Sequence, residues 1–201
     1  MDGRLHARIH GCGGFRYRAA HNATVDRLAR VERVVICTPD KDLAQCVRSD
    51  RVVQLNRRTR TTLDEAREIR KFGVPPESIP DYLALAGDSA DGYPGLPGWG
   101  PKSTAAVLAK CHHLEAIPLD WGEWRVNAAI ASVLTQILAR YRELALLFRT
   151  LATLRTDIPL FDDVQQLQWT GPTPAFAALG ARLGGAVTEK RRPRPPRNAH
   201  V

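Results

Sequence analysis

At 201 residues, with 44% apolar side chains, the chain suffices for one ordinary domain, or one and a half small ones, and can bury a real core. Its formal charge is +8 and its pI near 9.8. Five of the excess positive charges, Lys190, Arg191, Arg192, Arg194 and Arg197, fall in the last dozen residues, where there is no Asp or Glu. The body is therefore mildly basic, which suits a polyanionic partner such as nucleic acid but also suits mere solubility. No window reaches the roughly 18 uninterrupted apolar residues of a membrane span, and the N-terminus lacks the apolar core of a signal peptide. Cys12, Cys37, Cys46 and Cys111 show no Cys-x-x-Cys pairing, which reads as reduced thiols in a cytoplasmic protein rather than disulfides or zinc ligands.

In chain order, residues 1–32 form a poorly defined segment with no sustained periodicity, apart from a short helix suggested by Thr24 to Arg30. Arg33-Val34-Val35-Ile36-Cys37 is a continuous β-branched run, expected of a strand buried on both faces in a parallel sheet. Thr38-Pro39-Asp40 turns the chain, Lys41 to Val47 reads as a helix, and Val52 to Asn56 as a second short strand. Further strands to flank these two are not apparent. Asp40 and Asp42 thus fall at a strand's carboxyl end, the edge where ligands bind in open α/β sheets.

From Arg51 to Lys71 there are seven Lys or Arg against three Asp or Glu, with Arg57, Arg58 and Arg60 around a turn; a solvated face and a phosphate contact both fit. Thr62, with Glu65 three residues on, is the expected cap of a helix over Leu63 to Phe72 that Gly73 ends. Pro75 and Pro76 separate it from a helix over Ser78 to Ala86. One long helix is expected from Arg125 to Leu151, its core stripe formed by Val126, Ile130, Val133, Ile137, Tyr141, Leu144, Phe148 and Leu151. Thr153 to Leu160 reads as extended, Ala175 to Leu183 as a last helix, and residues 190–201 as a disordered basic tail.

Two acidic pairs carry the chemistry: Asp40 with Asp42, and Asp88 with Asp91. Hard divalent cations such as magnesium or manganese need clustered oxygen ligands, although an isolated Asp pair serves equally as turn or helix-cap chemistry. Directly behind the second pair, Gly95, Gly98 and Gly100 alternate with Pro94, Pro97 and Pro101 and lead into a helix over Lys102 to Lys110. A glycine hairpin feeding a helix N-terminus lets a DNA backbone approach and receive N–H donors, with Lys102 adding a point charge; the bland alternative is a plain turn between helices.

The run Thr38-Pro39-Asp40-Lys41-Asp42-Leu43-Ala44-Gln45, followed about fifty residues later by Leu85-Ala86-Gly87-Asp88-Ser89-Ala90-Asp91-Gly92-Tyr93-Pro94-Gly95-Leu96-Pro97-Gly98-Trp99-Gly100-Pro101-Lys102-Ser103-Thr104-Ala105, resembles the 5′-nuclease family. That family includes the 5′-3′ exonuclease domain of bacterial DNA polymerase I, phage exonucleases and flap endonucleases. The resemblance covers Val31 to Leu160 and, more loosely, the helix after Pro174. It implies an α/β, mainly helical fold: a partial parallel sheet, the remnant of a PIN-like nuclease core over 33–72, then a helix-hairpin-helix-type DNA-binding region over 73–160 and a peripheral short helix within 161–189.

By function the resemblance implies a Mg2+- or Mn2+-dependent phosphodiesterase acting on DNA 5′ ends and flaps, in which metal ions bind the scissile phosphate and activate a water. Asp40, Asp42, Asp88 and Asp91 match the ligands of the second metal position. Gly95, Gly98, Gly100, Lys102 and Ser103 match the duplex-holding hairpin, which often carries a potassium ion. Gly92 replaces the family's usual Asn. The Glu-x-Asp-Asp motif of the first metal position, expected shortly before Arg33, has no counterpart: Arg18 to Asp26 carries no such cluster. The expectation is the C-terminal half of such a nuclease, partnered by a missing N-terminal half. A non-catalytic, sequence-independent duplex-binding module is the other reading.

Overall fold

The structure, a computed structural model, describes residues 5–10, 31–124, 128–156 and 164–182. The short helix expected at Thr24 to Arg30, the end of the extended piece near Leu160 and the basic tail lie outside the described residues. The chain divides into two units, one through Asp162 and one from Asp163 onward.

A four-stranded sheet opens the first unit. Strand β1 (Leu5–His10) runs parallel to β2 (Val31–Cys37), β2 parallel to β3 (Val52–Asn56), and β3 antiparallel to β4 (Thr61–Leu63). Val31, Val34, Ile36 and Cys37 are buried in β2, as the β-branched run predicts. The flanking strands that seemed missing from the sequence are β1 and β4: Leu5–His10 mixes His, Arg and Ala with only two larger aliphatics, and Thr61–Leu63 is three residues long. Short, polar, edge-like strands carry little periodic signal.

Helix α1 spans Glu65–Phe72 and is capped by Asp64, whose side chain accepts from Arg67 N at 2.9 Å. The expected cap, Thr62, instead lies in β4 opposite Leu55, and Glu65 accepts from Ser49 N at 2.7 Å. Pairing with β3 takes the Thr62 backbone out of helical geometry. At the other end Gly73 adopts φ 75°, the left-handed stop that the sequence predicts.

Helix α2 (Ile79–Ala86) is buried along almost its whole length, from Ile79 through Leu85. It packs against α3 (Pro101–Cys111) and against α5 (Arg142–Ala152). The single long helix expected from Arg125 to Leu151 is two helices, α4 (Ala128–Arg140) and α5, with a break at Tyr141 (φ −112°, ψ 22°). The stripe also differs. Of the expected stripe, Phe148 lies in the core and Ile137 and Tyr141 pack against it, whereas Ile130, Val133, Leu144 and Leu151 are exposed; the other core positions are Ala131, Leu134, Leu138, Ala145 and Ala152. Small alanines at the contact let the helix backbones approach closely, a gain that side-chain hydrophobicity alone does not register.

The core of this unit gathers Leu83, Leu85, Tyr93, Trp99, Leu108, Trp124, Leu138 and Phe148. Tyr93 stacks on Phe148 at 5.7 Å, and Trp99 lies 5.6 Å from Trp124. The second unit contains a turn at Val164–Leu167 and helix α6 (Pro174–Arg182), where the last helix is expected.

Candidate metal centre

Strand β2 ends at Cys37 and delivers Asp40 and Asp42 just beyond the carboxyl edge of the sheet, where Asp42 opens a single 3-10 turn (Asp42–Cys46). Asp40 is held through its backbone, its carbonyl accepting from the Nε2 of the fully buried Gln54 on β3. The second pair comes from the loop after α2. There Asp88 and Tyr93 close a small ladder, Asp88 N to Tyr93 O at 3.0 Å and Tyr93 N to Asp88 O at 3.2 Å, with Asp91 at the apex. Leu83, Leu85 and Tyr93 anchor this loop in the core, so the two acidic segments are brought together by packing.

Carboxylate oxygens of Asp40, Asp42 and Asp91 all lie within 4.8 Å of one another. That spread matches oxygens around one hard divalent ion, whose ligands at about 2.1–2.5 Å sit up to about 4–5 Å apart. Asp88 is not in the trio. It is buried, and its Oδ1 accepts from Lys41 Nζ and from Ala90 N, each at 3.1 Å.

The electrostatics of the trio suit a cation. Asp42 is 5% exposed, and its Oδ1 and the buried Oδ2 of Asp91 have no hydrogen-bond partner. Burial first, then the charges of Asp91 and Asp40, a hydrogen bond to Asp91 and the charge of Asp88 push the Asp42 carboxyl up to about 8. A buried carboxyl crowded by like charges marks a site built for positive charge. Tyr93 is affected too: burial and the surrounding aspartates, Asp42 foremost, push its phenol well above the ordinary range, and its hydroxyl is likewise buried without a partner. The donor set is all oxygen, fitting magnesium or manganese rather than zinc.

Behind the trio the predicted hairpin divides into two roles. Gly95 (φ 74°) is buried, its α-carbon turned against Leu85, Ala86 and Gly87 backbone. Gly98 (φ 75°) is exposed, and a Cβ there would sit 3.6 Å from Leu134 and Ile137 side chains; at Gly100 it would meet nothing. Gly100 precedes α3, its N–H donating to Ser103 Oγ at 3.0 Å, while Thr104 N makes the first helical bond, to Gly100 O. The Lys102 and Ser103 backbone N–H groups therefore stand at the open positive end of the helix, with Lys102 exposed beside them.

Sequence reasoning missed Lys41, Gln54 and Tyr93. Lys41 sits between two motif aspartates and Tyr93 two residues after a third, so proximity to the motif was a usable signal for both. Gln54 carries none, because its role arises only from strand pairing.

Known proteins resemble the chain in sequence and in fold. The family described as "5′-3′ exonuclease, C-terminal SAM fold" matches residues 74–175. A 5′-3′ exonuclease of Aquifex aeolicus is 43% identical over 93 residues, 46% of this chain and 32% of the relative. A flap endonuclease Xni of Pectobacterium carotovorum is 40% identical over 103 residues, 49% of this chain and 36% of the relative. DNA polymerase I of Pseudomonas aeruginosa is 37% identical over 142 residues, 67% of this chain and 15% of the relative. Among solved structures, zinc-bound T5 5′-exonuclease superimposes with a TM-score of 0.54 at 18% identity, covering 67% of this chain and 48% of that one.

Over two thirds of its length, then, the chain has the fold of a 5′ exonuclease, a sheet edge followed by a helical SAM-fold region. It belongs to the 5′-3′ exonuclease family. It spans about a third of the exonuclease and flap endonuclease relatives it matches.

Proposed function

We propose that the chain is the carboxylate-and-hairpin part of a divalent-metal-dependent 5′ nuclease acting on DNA phosphodiester bonds at 5′ ends or flaps. The observation that carries this is the trio of Asp40, Asp42 and Asp91 with two buried carboxylate oxygens that no donor reaches, followed along the chain by the glycine hairpin and the N-terminus of α3. These three residues hold Mg2+ or Mn2+, with Asp88 beside them. Gly98, Gly100, Lys102 and Ser103 receive the duplex backbone, with a potassium ion as a further occupant of the hairpin, while Gly95 shapes its turn. A bound ion supplies Lewis acidity and a lowered pKa for water; the chain's own residues supply its seat and hold the DNA against it.

Stabilising both the attacking and leaving oxygens of an in-line displacement takes two such ions, and the described residues hold one acidic group of this kind. Full turnover is therefore assigned to this chain together with a second carboxylate cluster from an N-terminal nuclease half. The single cluster also favours a second reading, a sequence-independent duplex-binding module without hydrolysis.

Incubating the purified chain with labelled 5′-flap DNA and Mg2+ separates them. The nuclease reading expects cleavage, stimulated by a nuclease N-terminal half supplied in trans, that Asp42→Asn and Asp91→Asn abolish. Cleavage indifferent to both substitutions overturns the site, and salt-sensitive binding with no cleavage under either condition selects the module.

A further inference from the structure

At the carboxyl end of β2 and β3, the β3–β4 hairpin and α1 help to enclose a cavity of about 230 Å³. Among the described residues no Asp or Glu lines it. Pro39 and Leu63 give it apolar surface, and Gln54, Asn56, Thr59 and Lys71 its main polar groups. Gln54 is fully buried; its Nε2 is committed to the Asp40 carbonyl, which fixes the amide, and its Oε1 has no hydrogen-bond partner. A buried acceptor without a donor is costly to keep, so this end of the cavity is short of an N–H. Asn56 is the complement. Its Oδ1 accepts from Arg58 N at 3.0 Å and Thr59 N at 3.2 Å, closing the hairpin turn and leaving Nδ2 to donate. On the solvent side Thr59 is exposed between Arg58 and Arg60, both exposed too. The buried Glu68 neutralises Lys71 Nζ at 3.1 Å, so the charge available to an anion is that of the two arginines.

We propose that this cavity is a subsite for one unpaired nucleotide, its base edge meeting Gln54 Oε1 and Asn56 Nδ2 and its phosphate facing Arg58 and Arg60. A flat ring with a donor beside an acceptor, joined to an anion, is what this set of groups complements. In a duplex the base edges are already paired, so the occupant is unpaired; all four bases carry such an edge, so the subsite is tolerant of sequence. The volume admits one base and not two. The proposal deepens the reading of the chain as a protein that acts on DNA, and it is tested apart from that reading, with neither duplex nor metal.

Fluorescence anisotropy of the full chain, in chelator, compares two labelled octamers of abasic deoxyribose phosphate, one plain and one carrying a single thymine. The thymine strand is expected to bind about tenfold tighter, the worth of one or two hydrogen bonds. Asn56→Asp keeps the oxygen that closes the turn and replaces the donor by a carboxylate; it should bring the ratio close to one, and Gln54→Met should do the same. A second measurement needs only the wild-type fold: the side-chain 1H–15N signals of Asn56, assigned by their loss in Asn56→Asp, should shift when the thymine strand is added. A shift with thymidine 5′-monophosphate as well assigns the subsite to free nucleotides and strands alike, and a shift with the strand alone assigns it to strands. Equal affinity of the two octamers for the wild type, a ratio that survives in Asn56→Asp, or Asn56 signals unmoved by both ligands overturns the subsite, while the flap-cleavage assay decides the nuclease reading separately.

Discussion

Gly87 and Gly95 meet backbone to backbone: a Cβ on Gly95 would lie 2.4 Å from Gly87 N, and one on Gly87 2.4 Å from Pro94 O. Leu96 N donates to Leu85 O at 2.9 Å across the same contact. This approach closes the loop that carries Asp88 and Asp91 and aims the second acidic motif at the first.

Gly95→Ala is expected to cost more than the roughly 1–2 kcal/mol of an unfavourable positive φ, because backbone rather than a flexible side chain must move. About 3 kcal/mol or more should be lost in urea denaturation, with Mn2+ binding weakened in parallel. Gly92→Ala, at φ 84° but with open space around it, should show only the smaller backbone cost. Equal effects at the two positions would contradict the contact.

The raised Asp42 carboxyl makes stability depend on pH. In the folded chain it holds its proton up to about pH 8, whereas its ordinary value is 3.8; between those limits the folded state binds more protons than the unfolded. Asp42 therefore stabilises fully below about pH 4, and that contribution falls as pH rises toward 8. In chelator, the urea midpoint should decline between pH 5 and 8.5; Asp42→Asn should flatten the slope, and saturating Mg2+ should do the same by taking the proton's place. A midpoint that rises with pH in the wild type and not in Asp42→Asn would refute the assignment.

Asp81 on α2 is 2% exposed and accepts from His113 Nδ1 at 3.0 Å, Leu114 N at 3.3 Å and Arg149 Nη1 at 3.4 Å, tying three segments together. Asp81→Ala should cost about 3–5 kcal/mol, as expected when one partner of a buried charged network is removed. Glu115, which pairs with the same arginine at 2.6 Å but is 55% exposed, should cost less than about 1 kcal/mol when replaced by Ala. Chemical denaturation of both variants checks the ratio.

The core register of α4 is tested by adjacent residues. Leu134→Ala, at 2% exposure, should cost about 2–5 kcal/mol, and Val133→Ala, at 53%, no more than about 0.5 kcal/mol. The reverse order of melting temperatures would restore the stripe expected from hydrophobicity.

Local chemistry was legible wherever one segment suffices to specify it. The β-branched run of β2, the Gly73 stop, the Pro101 start of α3 and the spacing of the acidic motifs each follow from bonds and sterics within a few residues, and the paired motifs together pointed to the family. The Asp64 cap, the outward face of Ile130 and Val133, and strand β1 were not legible. Each depends on a partner elsewhere in the chain: β3 pairing with Thr62, close packing through Ala131 and Ala145, β2 beside Leu5–His10.

The same division runs through the candidate site. The residue types alone raised the expectation that four aspartates and a glycine hairpin serve metal and phosphate chemistry. Which carboxylates converge was decided by tertiary structure: the Gly87–Gly95 contact and the Tyr93 anchor place Asp91 with Asp40 and Asp42, while Asp88 pairs with Lys41. Spacing along a chain limits which groups can meet, but which of them do meet is settled only by where packing puts them.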